Sequence, residues 1–336
     1  MSEGFVWRDA GRVVFLRADA VAAAPELLRE QGFGTFDLLS TERALGEPRA
    51  GSLAEAAGRV HRVPAGQVPE LAAGLLSSVG TERLVALGGG RTIDTAKAVA
   101  SVTGAAVAAV PTTLSGAEMT GIHRLPAGAE GQVRGMVRPS MAIADPEAMT
   151  GQEEPALRAS AMNALAHGAD SLYTPFANPV SRMAALRGAG LIASALDQGR
   201  AERDRAALAE GSLLCGYAID SGGFGLHHVI CQTLVRVCGS PHAETNAAML
   251  PQTMAFMAPR APQQIGALCD ALGTDPDDLP ARIRRLGGDP PGLGAVGTDR
   301  SRLADAIEAM LARPELAFGP GPPDRGDLAQ LVESAW

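Results

Sequence analysis

The stretch RLVALGGGRTIDTAKAVA, residues 83–100, decides the fold. In it an apolar run is followed at once by three glycines and then by a helical pattern. Glycines let the backbone approach a phosphate closely, and the free N–H groups and dipole at a helix N-terminus attract negative charge. The order of strand, glycine turn and helix therefore predicts one unit of a parallel α/β sheet with an anion site at Gly89, Gly90 and Arg91. A purely steric role for the glycines, as turn residues, stays open.

Short apolar runs alternate with helical patterns on both sides of that stretch. Alternation of strand and helix is the pattern of a parallel sheet covered by helices. We therefore expect residues 1–150 to form a Rossmann-like, doubly wound nucleotide-binding α/β domain. The other predicted strands are RVVFL at 12–16, FDLLS at 36–40, RVHRV at 59–63, AAVAAV at 105–110 and MAIAD at 141–145.

The second half of the chain has a different pattern. From about Glu153 it consists of long helical stretches without clear strands, which predicts an all-helical substrate or catalytic domain over residues 151–336. The boundary is expected within DPEAMTGQEEP, residues 145–155, and the Pro/Gly-rich segments 286–297 and 313–324 are expected to be loops. The predicted helices cover 155–173, 181–199, 203–220, 225–238, 245–258, 262–272, 298–312 and 325–335.

Composition excludes several classes of function. A net charge of −8 and a pI near 5.3 argue against broad binding to nucleic acid or anionic membranes. The N-terminal residues lack the apolar core of a signal peptide, and no apolar run is long enough for a membrane span. The four cysteines form no C-x-x-C pair. We therefore expect a cytoplasmic protein with reduced thiols.

A hydroxyl-rich loop, PTTLSGAEMT at 111–120, follows the next predicted strand. The C-terminal edge of a parallel sheet is where nucleotides and substrates bind, so Thr112, Thr113 and Leu114 are candidate contacts. In the alternative interpretation, the hydroxyls of this loop bond only to their own backbone.

Three histidines of the helical half, His167, His228 and His242, are candidates for a metal or proton-transfer site. Asn163 precedes His167 by four residues and Gln232 follows His228 by four, so each pair shares one helix face. Such spacing also arises by chance. Taken alone, each histidine is more often a hydrogen-bonded residue of the core.

Together these segments resemble the iron-containing alcohol dehydrogenase superfamily, which shares its architecture with dehydroquinate synthase and glycerol dehydrogenase. Within it the chain is most similar to the maleylacetate reductases. The strings MNALAH, GLHH-x-x-C and PHAE-T carry the most specific part of the resemblance. The matching segments, in the family's order, are LSTER (39–43), GGGRTIDTAKAVA (88–100), VPTTLSGAEMT (110–120), ADP (144–146), MNALAHGADSLYTPFANP (162–179), GLHHVICQTL (225–234) and SPHAETNAAMLP (240–251).

The resemblance implies a dehydroquinate synthase-like fold and an NADH or NADPH cofactor across the N-terminal sheet. Ser40 and Thr41 stand where a ribose-binding Asp would exclude a 2′-phosphate, so either cofactor is expected, with Glu42 favouring NADH slightly. The implied pyrophosphate contacts are Gly89, Gly90 and Arg91, and the implied ribose and nicotinamide contacts are Ser40, Asp94, Lys97, Thr112, Thr113 and Leu114.

The resemblance also bears on metal binding. The metal enzymes of the superfamily bind their ion with one Asp and three His, and those positions are Asn163, His167, His228 and His242 here. A neutral amide is a poor ligand for Fe(II) or Zn(II). The chain is therefore expected to be a metal-independent, NAD(P)H-dependent reductase of maleylacetate, or of a related oxo-enedioate or enone, in aromatic degradation.

The expected chemistry is hydride addition to a carbon–carbon double bond conjugated to a ketone, followed by proton donation to the enolate. His228, His242 and His167 are the candidate catalytic residues. Arg124, Arg134 and Arg138 are candidates for binding substrate carboxylates. The remaining candidate substrate contacts are His123, Asn163, Tyr173, His227 and Gln232.

Some positions depart from the maleylacetate reductase pattern. Gln232 stands where another histidine is usual, Arg17-Ala18-Asp19 replaces a glycine-containing turn, and the segment before residue 141 lacks the family's lysine. Two alternatives therefore stay open. One is a metal-dependent alcohol dehydrogenase or ketone reductase that uses the three histidines. The other is a non-redox member of the fold acting in a biosynthetic pathway. A homodimer is expected from the frequency of dimers alone.

Overall fold

A computed structural model describes residues 5–9 and 11–336 of the chain. The chain divides into two compact units, one ending at Gly151 and one beginning at Gln152. The first unit contains the predicted parallel sheet and the second is helical, which confirms the predicted fold class. Within the described residues, the strands are β1 (Phe5–Asp9), β2 (Arg12–Leu16), β3 (Asp37–Ser40), β4 (Arg59–Arg62), β5 (Arg83–Gly88), β6 (Ala106–Pro111) and β7 (Met141–Ala144).

The strand order places a crevice at one edge of this sheet. The order is β1-β2-β7-β6-β5-β3-β4, with β1 antiparallel to β2 and the other neighbours parallel. The chain leaves β3 toward β4 and leaves β5 toward β6, which are opposite directions along the sheet. Ligands of doubly wound sheets bind at the carboxyl ends of strands where the connections diverge in this way. The candidate cofactor site therefore lies beyond Ser40 and Gly88.

Alternating side chains of the central strands cover both faces of the sheet. On β5, Val85 and Leu87 belong to one buried cluster, whereas Leu84 and Ala86 belong to the other. This period of two is what a strand buried on both faces requires. The helices of this unit are α1 (Ala20–Glu30), α2 (Glu42–Leu45), α3 (Gly51–Ala56), α4 (Val68–Leu75), α5 (Gly90–Thr103) and α6 (Pro146–Met149).

The second unit is a helical bundle around one buried helix. That central helix, residues 154–171, is buried on nearly all sides from Leu157 onward. The helices that contain Gly188 and Gly211 approach each other closely, and only glycine allows this, since a Cβ on Gly188 would lie 2.8 Å from the Gly211 carbonyl oxygen. The helices are α7 (Glu154–Ser171), α8 (Pro179–Asp197), α9 (Arg205–Gly222), α10 (Leu226–Cys238), α11 (His242–Met257), α12 (Pro262–Leu272), α13 (Leu279–Leu286), α14 (Leu303–Leu311) and α15 (Arg325–Ser334).

Several boundaries differ from the sequence predictions. His242 precedes the helix predicted over 245–258 but is the first residue of α11, because Pro241 has the extended conformation of an N-cap. The helix predicted from residue 298 begins at Leu303, since the Asp299 side chain accepts from Ser301 N and forms a short 3₁₀ turn there. The strand β1 and the short, arginine-rich helix α13 were not predicted.

In the part of the chain that the structure describes, no helix combines the length and the apolar character needed to cross a bilayer. All four cysteines are buried and none is bridged.

Candidate functional site

The glycines at the start of α5 pack tightly against the hydroxyl-rich loop. A Cβ on Gly89 would lie 3.0 Å from Thr113 Cγ2, and a Cβ on Gly90 would lie 3.0 Å from Ser115 Cβ. The hydroxyl-rich loop therefore requires small residues there, which supports the steric interpretation. The same close packing leaves the first N–H groups of α5 at the sheet edge, where a helix N-terminus attracts an anion. The packing supports the steric interpretation of the glycines, and the anion site stays a prediction.

Two hydroxyls of that loop are set apart from the others. The Oγ1 atoms of Thr112 and Thr113 are buried and have no hydrogen-bond partner among the described residues. Ser115, in contrast, accepts a hydrogen bond of 3.4 Å from Ala117 N. The alternative in which the loop satisfies its own hydroxyls therefore holds for Ser115 but not for the two threonines. A buried hydroxyl without a partner costs free energy, and a bound ligand would relieve that cost.

Lys97 is fully buried and binds backbone carbonyl groups of the loop. Its Nζ donates to the carbonyl oxygens of Ala117 (3.0 Å), Thr120 (3.0 Å) and Ile122 (2.8 Å). It also pairs with Asp94 Oδ1 at 2.8 Å. The resemblance implied a direct cofactor contact for Lys97. Its bonds instead make it a positioning residue for loop 117–122, whereas Asp94 is partly exposed.

Glu118 is a buried carboxyl in the same loop that sequence reasoning missed. Neither of its carboxyl oxygens has a hydrogen-bond partner in another described residue. Burial raises the pKa of Glu118 from 4.5 to about 7, although the nearby positive charges of Lys97 and Arg12 oppose that rise. Glu118 therefore titrates near neutral pH.

Other candidates of the first unit use their polar atoms internally or lie at the surface. Ser40 Oγ donates to Leu87 O at 2.8 Å. His123 Nε2 accepts from Val137 N at 3.0 Å and its Nδ1 donates to Arg124 O at 2.9 Å, while burial lowers the pKa of this ring. His123 is therefore a neutral residue that holds its own loop. The Leu114 side chain is fully buried, and the side chains of Arg91, Arg124, Arg134 and Arg138 are exposed or half-buried.

In the second unit, the central helix α7 carries Asn163, His167 and Asp170 in its buried stretch. Polar groups at such depth are stable only when they are paired. Asp170 is the most completely paired of them. Its carboxylate accepts from Tyr173 Oη, Gly225 N (2.8 Å), His227 N and His228 N (both 3.2 Å) and His228 Nδ1 (2.9 Å).

This set of donors fixes the charge of Asp170. Burial alone would raise the pKa of this carboxyl, but the His228 hydrogen bond and the neighbouring polar groups lower it below its usual range. Asp170 is therefore ionised. Burial, and next the charge of Asp170, raise the pKa of Tyr173 well above its usual value. Tyr173, a candidate substrate contact, thus serves mainly to hold Asp170.

His228 is oriented by Asp170 and keeps one ring nitrogen available. Because Nδ1–H donates to the Asp170 carboxylate, a neutral His228 has its lone pair on Nε2. That Nε2 is buried and has no hydrogen-bond partner within the described chain. The ring of His167 stacks on that of His228, with centroids 5.0 Å apart and 22° between the planes. Burial and the neighbouring histidines hold the pKa of His167 well below its usual value.

His227, next to it in sequence, is a core residue. Its Nε2 donates to Asn246 Oδ1 and its Nδ1 accepts from Thr253 Oγ1, both at 2.9 Å. Burial lowers the pKa of His227 to about 3, so the ring is neutral. With both ring nitrogens occupied and no exposed surface, His227 has no free group for a substrate. Asn246 in turn donates to the carbonyl oxygen of His242, whose side chain is exposed at the start of α11.

Gln232 lies one helical turn beyond His228 on α10. Its Oε1 accepts from Arg313 Nη1 at 2.9 Å, so this amide is bound to a guanidinium. Arg313 was not among the predicted arginines.

The histidine cluster does not fit a divalent metal ion. Among residues 5–9 and 11–336, no three His, Cys, Asp or Glu side chains are arranged to hold one. Imidazole and amide groups are neutral ligands, so Asn163, His167 and His228 would leave the charge of an Fe(II) or Zn(II) ion uncompensated. Asp170, the one carboxylate bonded to the cluster, is occupied by its donors. The residues present are arranged for hydrogen bonding and proton transfer.

The most informative residue missed from the sequence is Asp170. It follows His167 by three residues, so the two share one face of α7, and it is an acid within an otherwise apolar helix. That signal was available. Asn246 and Thr253, which hold His227, gave none, because they belong to a helix whose packing against α10 is visible only in the fold.

Comparison with known proteins places these features in context. Two family models match the chain: the Fe-containing alcohol dehydrogenase family, C-terminal, over residues 158–311, and iron-containing alcohol dehydrogenase over residues 16–124. A maleylacetate reductase of Rhizobium sp. (strain MTP-10005) is 32% identical, covering 99% of this chain and 97% of the relative. Maleylacetate reductase 1 of Rhodococcus opacus is 34% identical, with 80% and 77% covered. The crystal structure of maleylacetate reductase from Agrobacterium tumefaciens superposes with a TM-score of 0.85 at 29% identity, covering 100% of this chain and 99% of that one.

Proposed function

The chain belongs to the iron-containing alcohol dehydrogenase family, and from that premise we propose that it is an NADH- or NADPH-dependent reductase of maleylacetate, or of a related oxo-enedioate, that works without a metal. The observation that carries the proposal is the buried His228 ring, which Asp170 orients and which has Nε2 available for a substrate. The identity to maleylacetate reductases over almost the whole chain supports the substrate class.

The first unit would hold the cofactor. A reduced nicotinamide, when bound, supplies a hydride. The first N–H groups of α5, with Arg91 beside them, suit a pyrophosphate. The hydroxyls of Thr112 and Thr113 would gain their missing hydrogen bonds from the ribose or the nicotinamide carboxamide. Lys97 would keep the loop in position from beneath.

Either nicotinamide cofactor suits the end of β3. That strand ends in Ser40, so no carboxylate stands there to repel a 2′-phosphate. The nearby acid Glu42 pairs with Arg62 at 2.6 Å, which offsets its charge. We therefore propose that the protein uses both NADH and NADPH.

The second unit would supply the proton. Hydride addition to the alkene carbon β to the ketone forms a C–H bond and moves the π electrons onto the ketone oxygen. His228 in its protonated form donates a hydrogen bond from Nε2 to the developing enolate and then delivers that proton, and the enol relaxes to the ketone. The ionised Asp170 stabilises the imidazolium through Nδ1–H and keeps the ring oriented.

The test is a turnover assay on chelator-treated protein whose metal content has been measured. NADH or NADPH oxidation is followed with maleylacetate as substrate. We expect oxidation that depends on maleylacetate and does not change when chelator is present. No oxidation with maleylacetate or related oxo-enedioates would refute the proposal, and activity restored only by Fe(II) or Zn(II) would favour a metal-dependent enzyme instead.

A further inference from the structure

Arg313 stands just after α14 and reaches back to α10. Its side chain is mostly buried, with 19% exposed. Nη1 donates to Gln232 Oε1 at 2.9 Å, and the guanidinium carbon lies 5.4 Å from the centre of the Phe224 ring. The guanidinium is thus fixed by an amide on one side and an aromatic ring on the other, which leaves it little freedom to move.

These contacts place Arg313 along the helix face that carries His228. Gln232 comes one turn after His228 on α10, and Phe224 lies just before the N-cap of that helix, Gly225. The ring centres of Phe224 and His228 are 6.2 Å apart. A group that touches both Phe224 and Gln232 therefore lies within the reach of a small substrate held at His228.

The partner of Arg313 is a weakly held carboxylate. Its Nε and Nη2 lie 3.3 and 3.2 Å from the oxygens of Glu315, only two residues away. Charge-assisted bonds of this kind are usually about 2.7–2.9 Å long. The bidentate pair of Arg282 and Asp197, in the same unit, has bonds of such short length, 2.7 and 2.6 Å.

The Arg313–Glu315 pair is charged at neutral pH. Burial would raise the pKa of Glu315, but the hydrogen bond from Arg313 and further polar contacts together lower it. Three of the five N–H groups of Arg313 are used by Gln232 and Glu315 among the described residues. The site is therefore an oriented guanidinium with a loosely bound internal carboxylate.

We propose that Arg313 binds a carboxylate of the substrate, which takes the place of Glu315 on the guanidinium while Gln232 keeps Arg313 in position. This inference rests on the proposed function, because a reductase of oxo-enedioates needs a cation for its dicarboxylate substrate. It also explains Gln232: an amide oxygen can hold a guanidinium at neutral pH, whereas a protonated histidine would repel it.

Two measurements test the proposal, one independent of turnover. In the first, maleate, a cis-dicarboxylate without a ketone, is titrated by calorimetry into the wild type, Arg313→Met, Arg313→Lys and Glu315→Gln. Arg313→Met should weaken maleate binding by about 10-fold or more, and Arg313→Lys by less. Glu315→Gln should strengthen binding, because it removes the competing carboxylate. Arg282→Met is the matched control, since it breaks an arginine–carboxylate pair that lies apart from α10, and it should leave binding unchanged.

The opposite signs for Arg313→Met and Glu315→Gln separate substrate binding from a structural salt bridge. If Arg313 and Glu315 formed only a structural salt bridge, either change would weaken maleate binding. Equal maleate binding by the wild type and Arg313→Met, weaker binding by Glu315→Gln, or no binding by the wild type at millimolar maleate would each overturn the inference.

The second measurement is turnover of maleylacetate and of cyclohexenone, an uncharged enone. Arg313→Met should raise KM for maleylacetate much more than KM for cyclohexenone, and an equal rise with both would overturn the inference. If the wild type reduces neither compound, the proposed reductase function fails, and the maleate titration alone then decides the role of Arg313.

Discussion

At the sheet edge of the first unit, the hydroxyls of Thr112 and Thr113 are buried and have no partner among the described residues, whereas in the second unit Asp170 alone accepts five hydrogen bonds. The first region depends on the free N–H groups of a helix end and on hydroxyls that a ligand would satisfy. The second depends on a carboxylate whose donors are fixed within the protein, and it leaves His228 Nε2 and His167 Nδ1 without a partner among the described residues.

This difference matches two chemical tasks. A cofactor that binds and leaves in each cycle needs polar groups that exchange a ligand for water at little cost. A proton donor needs one fixed orientation and one tautomer, which require permanent partners. The account therefore predicts that substitutions in the second unit affect the chemical step and that substitutions at the sheet edge affect cofactor affinity.

The largest expected effect comes from His228→Gln. We expect kcat/KM for maleylacetate to fall by about 10²–10⁴-fold, because the proton donor is lost, while the Kd for NADH stays unchanged. Steady-state kinetics and calorimetry check the two parts. His61→Gln, the same change at a histidine paired with Asp37 in the first unit, is the control and should leave kcat/KM unaltered. A large rise in the NADH Kd of His228→Gln would contradict the assignment of cofactor binding to the first unit and proton donation to the second.

The next effect concerns the partner of that histidine. Asp170→Asn puts an amide where a carboxylate now faces the backbone N–H groups of Gly225, His227 and His228. We expect kcat to fall by about 100-fold, because the imidazolium loses its counter-charge, and the melting temperature to fall as well. Asp197→Asn, at an exposed arginine pair, should change neither value appreciably. An unchanged kcat would show that Asp170 has only a structural role.

A smaller effect is expected at the sheet edge. In Gly90→Ala the new Cβ would lie 3.0 Å from Ser115 Cβ, so the loop must shift. We expect the Kd for NADH to rise about 10-fold with little change in kcat. Gly74→Ala is a matched control because a Cβ there meets nothing within 4 Å. If Gly90→Ala and Gly74→Ala both bind NADH more weakly, the effect is not specific to the sheet edge, and the proposed cofactor site there is contradicted.

The last expected effect is on stability rather than on binding or turnover. Burial raises the pKa of Glu118 from 4.5 to about 7, so between those pH values the folded chain keeps a proton that the unfolded chain loses. Stability therefore falls as pH rises through this window, and the cost is complete above pH 7. Glu118→Gln removes the titration. It should be more stable than the wild type above pH 7, by at most on the order of 3 kcal/mol, and similar to it below pH 4.5.

Urea unfolding at a series of pH values measures this difference. The exposed Glu70 on α4 supplies the control variant Glu70→Gln, which should keep the pH dependence of the wild type. An identical pH slope for the wild type and Glu118→Gln would contradict the assignment.

The two regions also differ in how far the sequence predicts them. The sheet edge beyond β5 is encoded locally, because the strand, the glycines and the helix of residues 83–100 are contiguous, and all three were predicted. The hydrogen bond between Asp170 and His228 joins residues 58 apart, and that between Arg313 and Gln232 joins residues 81 apart. The i, i+4 spacing identified the helix faces correctly but gave no information about which helices face one another.

Burial was the other property that the sequence did not supply. His227 and His228 are adjacent and were both candidates, yet one has both nitrogens occupied and the other has one available. The resemblance implied a ribose or nicotinamide contact for Lys97, but its charge is used inside the loop. In both cases the decisive fact is the number of partners, which depends on tertiary packing.

The central claim is that the first unit binds a nicotinamide cofactor without the help of a metal. Calorimetric titration of chelator-treated, metal-analysed wild-type protein with NADH, and then with NADPH, tests it most directly. The account predicts saturable binding of both cofactors with no added metal. No binding of either at about 1 mM, a concentration at which specific enzyme ligands bind, would contradict it.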